Sequence, residues 1–116
     1  MEDYMIAVFS AQKDTLESPV DPRFGRCAYL IKVDTETNEW EAFINPGTSQ
    51  SGGAGIAAGQ FVIDKKATAV VSGDFGPNAS NAFKAAGISM FLYGGEVSTV
   101  KQAVEFFQQG KLQAFS

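Results

Sequence analysis

Short apolar runs alternate with polar, glycine-punctuated connections along this chain, and the spacing of the apolar positions changes half-way. Tyr4 to Phe9 is nearly continuous in apolar residues, the pattern of a strand covered on both faces. Met1 to Asp3 read as a frayed lead-in. Ser10 to Gly25 is polar and holds Pro19 and Pro22, so it predicts a loop. Ala28 to Val33 and Trp40 to Asn45 predict two further strands, joined by the polar turn Asp34 to Glu39, and such a tight link makes them antiparallel neighbours.

Beyond Asn45 the period becomes helical. Ala54, Ala57, Ala58, Phe61 and Val62 form one apolar stripe, with Lys65 and Lys66 suited to the negative end of the helix dipole. Ala67 to Ser72 predicts a buried strand. A second helix opens at Pro77, carries Ala79, Ala82, Phe83 and Ala86 inward, and ends at Gly87. Ile88 to Tyr93 is the last strand expected. Gly94 and Gly95 break it, Ser98 is the expected cap of a third helix, and Val100, Ala103, Val104 and Phe107 give that helix its inner face, with Gly110 at its end.

The order β-β-β-α-β-α-β-α predicts an α/β fold with a mixed five-stranded sheet. Parallel pairing across the α-crossovers gives the spatial order 3-2-1-4-5, with only strand two antiparallel. Strands one, three, four and five then deliver the Ser10 loop, the stretch Asn45–Gly59, Gly73–Asn78 and Gly94–Ser98 to one rim. Ligands of open α/β sheets favour that rim.

Composition narrows the chemistry. A chain of 116 residues predicts one domain, residues 1–116, able to bury ~65% of its unfolded surface. The net charge of −4 argues against nucleic-acid partners, which need a basic face, but leaves room for a small anion. There is no histidine and a single cysteine, Cys27, so neither a disulfide nor an all-protein tetrahedral metal site can form within the chain. The acidic start and short apolar runs predict a cytoplasmic protein without a membrane segment.

The stretch Asn45-Pro46-Gly47 through Gly52, Gly53 and Gly55 opens a helix through free backbone amides, which suits an anion; a flexible connection is the plain alternative. Three helix N-termini on one rim strengthen the anion reading. Arg23 and Arg26 could lean over the rim with their guanidinium forks, or simply meet Asp21 or solvent. Phe24 between them is an anchor. Cys27 is either a small buried residue or a soft cluster ligand whose pKa the flanking arginines would lower. Asp74 reads foremost as a helix cap, and Asn78 as a cap or a ligand donor.

Two rivals use the same residues. Gly53-Ala54-Gly55-Ile56-Ala57-Ala58 fits G-x-G-x-x-A with Asp74 about twenty residues on, a dinucleotide fingerprint. The preceding strand, however, ends near Asn45, so seven residues separate it from Gly53 where the fingerprint needs a tight turn, and a second mononucleotide half is missing. A metal-dependent nuclease would require clustered carboxylates, and strand one has none. A protein-interaction module working through a sheet edge is the third possibility.

Taken together, Phe24-Gly25-Arg26-Cys27, Asn45-Pro46-Gly47, Gly53-Ala54-Gly55, Gly76-Pro77-Asn78-Ala79 and Ala86-Gly87-Ile88 resemble, in order and spacing, the dinitrogenase iron–molybdenum cofactor biosynthesis family, from Met5 to about Leu112. The resemblance implies a three-layer α/β/α, ribonuclease-H-like fold. It also implies binding of an iron–molybdenum cofactor or an iron–sulfur precursor cluster without catalysis, with cofactor-assembly proteins as partners. The expected cofactor contacts are Arg23, Phe24, Gly25, Arg26, Gly52, Gly53, Gly55, Gly76 and Asn78, with Cys27 as the metal contact.

Overall fold

The computed structural model describes residues 6–115. The Met1–Asp3 lead-in and the first two residues of the expected first strand, Tyr4 and Met5, lie outside them. Six strands and three α-helices follow in the order β1 (Ile6–Ala11), β2 (Tyr29–Asp34), β3 (Trp40–Ile44), α1 (Ala54–Asp64), β4 (Ala69–Ser72), α2 (Pro77–Ala86), β5 (Ser89–Leu92), α3 (Val100–Gln108) and β6 (Gln113–Ala114). Two 3₁₀ turns, Phe24–Arg26 and Pro46–Ser49, sit in the connections.

One mixed sheet runs β3-β2-β1-β4-β5-β6. β1, β4 and β5 are parallel, and β2 is antiparallel to both β1 and β3. The expected order 3-2-1-4-5 therefore stands for the first five strands, but the sheet has six strands rather than five. β6 adds an antiparallel edge beside β5, with Phe91 against Ala114 and Leu92 against Gln113. Its two exposed residues carry no apolar periodicity, so nothing in the sequence marks it.

Strand alternation divides the core in two. Val8, Leu30, Val70 and Met90 face Ala58 and Val62 of α1 and Ala79 and Phe83 of α2. Ala7, Phe9, Ile31, Val33, Ala69 and Val71 face Val100, Ala103 and Val104 of α3. Both faces of β1 and β4 are thus buried, which is why these strands read as unbroken apolar runs. On the second face Phe107 packs edge-to-face on both Phe9 and Phe91, with ring centroids 6.1 and 5.3 Å apart.

The element ends follow local chemistry. α2 begins at Pro77 and ends on Gly87 at φ 75°, as expected. α3 is capped by Thr99 rather than Ser98. Gln102 N–H donates to Thr99 Oγ1 at 3.2 Å, while Gln102 Oε1 accepts from the Ser98 and Thr99 amides, so a capping box fixes the start one residue later. Asp74 does not cap α2 either: its Oδ1 accepts from the adjacent Phe75 N–H at 2.8 Å, and Gly76 holds the cap position.

The long connection between β1 and β2 crosses the C-terminal ends of the parallel strands. Val20 N–H donates to the Ser98 carbonyl at 3.0 Å, and Asp21 N–H to that of Ser10 at 3.1 Å. Ser10, at the end of β1 rather than in the loop, is buried with Ser72 and Tyr93 beneath this crossing. Ser10 Oγ donates to the Asp21 carbonyl at 2.6 Å and lies 2.8 Å from Ser72 Oγ; Tyr93 OH donates to the Ser10 carbonyl at 2.7 Å. A buried polar group that lost its partner here would cost about 1–3 kcal/mol, so the network holds the loop down.

At the crossing of this loop with the β4–α2 connection, a Cβ on Gly73 would lie 2.5 Å from Pro22 Cβ and 2.6 Å from Pro22 Cα. Gly76, three residues on, has open space around it at φ −70°. Gly73→Ala is expected to lower unfolding free energy by about 1–3 kcal/mol. Gly76→Ala should stay within about 0.5 kcal/mol of the parent. Urea denaturation midpoints check both.

Candidate functional site

Asn45 ties the two sequence motifs of the rim into one unit. It is fully buried after the last residue of β3. Its Nδ2 donates to the Cys27 carbonyl at 2.9 Å and the Gly25 carbonyl at 3.3 Å, and its Oδ1 accepts from Gly47 N–H at 2.8 Å. One side chain therefore fastens the Phe24–Arg26 turn to the Pro46–Ser49 turn. The packing at this junction leaves no room for side chains: a Cβ on Gly47 would lie 2.5 Å from the Gly25 carbonyl oxygen, and one on Gly25 would lie 3.0 Å from Gly55 N. Asn-Pro-Gly marked a turn in the sequence, but the task of Asn45 as a pin was not read from it.

The turn so fastened presents its residues in opposite directions. Phe24 points inward and packs on Phe75 and Phe83, with ring centroids 5.5 and 5.4 Å away. Arg26 points outward, and its Nη1 donates to the Gln50 carbonyl at 3.1 Å, reaching across to the glycine-rich stretch. Arg23 is the arginine that meets Asp21. Its Nε donates to Oδ1 at 3.1 Å and its Nη2 to Oδ2 at 3.0 Å, with the Asp21 side chain 3% exposed and that of Arg23 68% exposed. Hydrogen bonding and charge from Asp21 raise the Arg23 pKa. Arg23 is thus largely neutralised in place, whereas Arg26 spends one donor on a neutral carbonyl.

The helix starts divide in the same way. Gly53, at φ 75°, adopts the left-handed geometry that begins α1, and Gly52 and Gly53 are exposed. A Cβ on Gly55 would lie 3.9 Å from Ala79 Cβ, and one on Gly59 3.8 Å from Phe83 Cζ, so α1 and α2 begin side by side. The first amides of a helix have no intrahelical acceptor, so those of α1 and α2 open on a common rim beside the Phe24–Arg26 turn. Gly76 and Asn78 lie there, exposed, at the first turn of α2.

The third helix start is not part of this rim. α3 lies on the other face of the sheet. Its first amides are already taken: Val100 N–H donates to the Ser18 carbonyl at 3.0 Å and Lys101 N–H to the Leu16 carbonyl at 2.8 Å. The expectation of three converging N-termini is corrected to two, because the first loop plugs the third.

Cys27 is placed differently from the expected metal contact. It is fully buried, and its thiol donates to the Phe24 carbonyl at 3.2 Å. Burial, aided by the Asp21 carboxylate, pushes its pKa from 9.0 up to about 12. The expectation that flanking arginines lower this pKa is corrected: both guanidinium groups lie outside the core that encloses the sulfur. Among the described residues no group of three or more Cys, Asp, Glu or His side chains is placed to hold a metal ion. None of the described helices is long and apolar enough to cross a membrane. The dinucleotide fingerprint lacks its tight turn, since the 3₁₀ turn Pro46–Ser49 separates β3 from α1.

A model of the family described as "Dinitrogenase iron-molybdenum cofactor" matches residues 5–110. Among solved structures, the apo form of the orange protein from Desulfovibrio gigas is similar at 33% identity and a TM-score of 0.90, over 100% of this chain and 97% of that one. A candidate NifB protein from Thermotoga is similar at 27% identity and a TM-score of 0.80, over 96% of both chains. A candidate dinitrogenase from Methanocaldococcus jannaschii shares the fold at 15% identity and a TM-score of 0.69, over 99% of this chain and 98% of that one. A comparison with curated proteins finds no match.

The buried thiol makes a pH prediction. Between pH 9 and about 12 the unfolded chain loses the Cys27 proton while the native chain keeps it. This contribution to stability is therefore whole below pH 9 and declines as pH rises toward 12. The decline is expected to be about 1 kcal/mol per pH unit shallower in Cys27→Ala than in the parent, read from denaturation curves across that window.

Proposed function

Because this chain belongs to the dinitrogenase iron–molybdenum cofactor family, we propose that it is a non-catalytic carrier or sensor for an anionic iron–sulfur or iron–molybdenum-type cofactor or its precursor. The observation that carries this reading is the pairing of two helix starts, α1 and α2, beside the outward guanidinium of Arg26. Backbone amides and the positive ends of two dipoles stabilise an anion with no change of protonation.

In this reading Gly52, Gly53 and Gly55 offer amides from the start of α1, and Gly76 and Asn78 line the start of α2. Arg26 supplies charge; Arg23 adds its exposed side, and Asp21 fixes its direction. Phe24 and Gly25 build the turn and touch the cargo only through backbone. The sequence has no histidine, and the Cys27 thiol lies in the core, so the cargo is held by hydrogen bonds and charge around its own ligands. Cys27 then supports the turn rather than coordinating metal. The absence of a nucleophile–base pair at the rim fits carriage better than catalysis. Likeness to the orange protein from Desulfovibrio gigas, solved as an apo form, supports the same direction. The ribonuclease-H-like fold name and a role beside cofactor-assembly proteins in the cytoplasm complete the proposal.

The test is anaerobic reconstitution with ferrous iron, sulfide and molybdate, followed by gel filtration, metal analysis and visible absorption. The parent is expected to retain a coloured, metal-containing species. Arg26→Ala should bind it about tenfold more weakly, the loss of one charge-assisted contact, with an unchanged melting temperature. Cys27→Ala should retain it as the parent does. Equal retention by the parent and Arg26→Ala, or loss in Cys27→Ala alone, counts against this arrangement.

A further inference from the structure

The two edges of the sheet are finished differently. On one side β6 offers only two residues, Gln113 and Ala114. On the other, β3 runs for five residues with no strand beyond it among the described residues. Asp34 N–H donates to the Glu39 carbonyl at 2.8 Å, and Asn45 N–H to the Ala28 carbonyl at 3.0 Å. Bonding direction alternates along an antiparallel ladder, so Glu39, Glu41, Phe43 and Asn45 turn their backbone groups toward β2. Trp40, Ala42 and Ile44 turn theirs away from the sheet. These are the residues whose side chains leave the core least covered: Trp40 is 42% and Ile44 71% exposed, with Ala42 half-buried between them. They share the α3 face of the sheet, opposite Val33, Ile31 and Tyr29 of β2. An edge with free backbone groups and an apolar face is a template for another strand.

We propose that β3 pairs antiparallel with β3 of a second copy of this chain, about a two-fold axis at Ala42, joining the two sheets into one. The register follows from residue chemistry. With Ala42 opposite Ala42, Trp40 of each copy lies opposite Ile44 of the other, and every outward amide and carbonyl of these residues finds a partner. The apolar side chains then meet on the α3 face. On the opposite face Glu41 stands against Phe43 of the second copy, whose ring carries Lys65 Nζ 4.3 Å from its centroid. Within its own chain Glu41 is flanked by Lys32, so the second copy adds a cation on the side left open. Glu39 meets Asn45, and no like charges oppose each other. Sliding by two residues would set Glu41 against Glu41, which disfavours that register. The interface lies on the strand edge and does not draw on the cofactor reading.

Trp40 is the only tryptophan in the chain, so its emission reports directly on this edge. The experiment combines sedimentation equilibrium with tryptophan fluorescence from about 1 to about 500 µM protein, a range that spans modest association constants. The expected result is a mass that rises from one chain to two, with the Trp40 emission moving to the blue in step. Ile44→Lys, at a position already mostly exposed, should stay a monomer with an unchanged circular dichroism spectrum. Glu41→Lys and Lys65→Glu should each weaken association about tenfold, and the two together should restore it. A single-chain mass across the range overturns the proposal and leaves the edge to a different protein. Association that survives Ile44→Lys, or that ignores the charge exchange, overturns it equally.

Discussion

The rim of this molecule depends on one buried amide. Asn45 gives its two donors and its acceptor to backbone groups of two different loops, and each loop carries a glycine in close contact there, Gly47 against the Gly25 carbonyl and Gly25 against the start of α1. An amide side chain is suited to this because it can donate and accept at once without bringing a charge into the core. Aspartate would offer only acceptors to the carbonyls of Gly25 and Cys27, and leucine none at all. From this junction follow the outward aim of Arg26, the inward anchor of Phe24 and the burial of Cys27.

A second polar assembly works in parallel. Ser10, Ser72 and Tyr93 come from β1, from β4 and from the residue that follows β5, and their hydroxyls hold the long first loop over the ends of the parallel strands. The same loop closes the start of α3 with the Leu16 and Ser18 carbonyls and holds Arg23 through Asp21. It therefore decides which helix starts remain open. The loop's Leu16 and Ser18 carbonyls take the first amides of α3, while its Phe24–Arg26 turn lies beside the start of α1.

Much of this was legible in the chain. The period change near Asn45, Pro77 at the start of α2, Gly87 at its end and the order of the first five strands all follow from local rules that tertiary packing did not override. The illegible parts share a physical origin. β6 is two exposed residues, Gln113 and Ala114, held by the backbone of β5, so its side chains carry no signal. Thr99 overtook Ser98 because Gln102 completes a capping box only from that position. Of the two readings of Cys27 the small buried residue is the one that the structure shows, and the lowered pKa fails because flanking charge in sequence is not proximity in space: a 3₁₀ turn leaves Arg26 exposed and the sulfur buried. Nothing in residue type marks Asn45 and Ser10 as organisers, because their partners lie far along the chain or on backbone atoms.

The rim presents peptide dipoles and guanidinium groups, with its sulfur sealed in the core and no imidazole in the sequence. Ionic strength acts on such a surface, since an exposed guanidinium is screened within a distance of about 10 Å at 0.1 M salt. In the proposed carrier reading, capture and release answer to competing ions and to contact with a recipient.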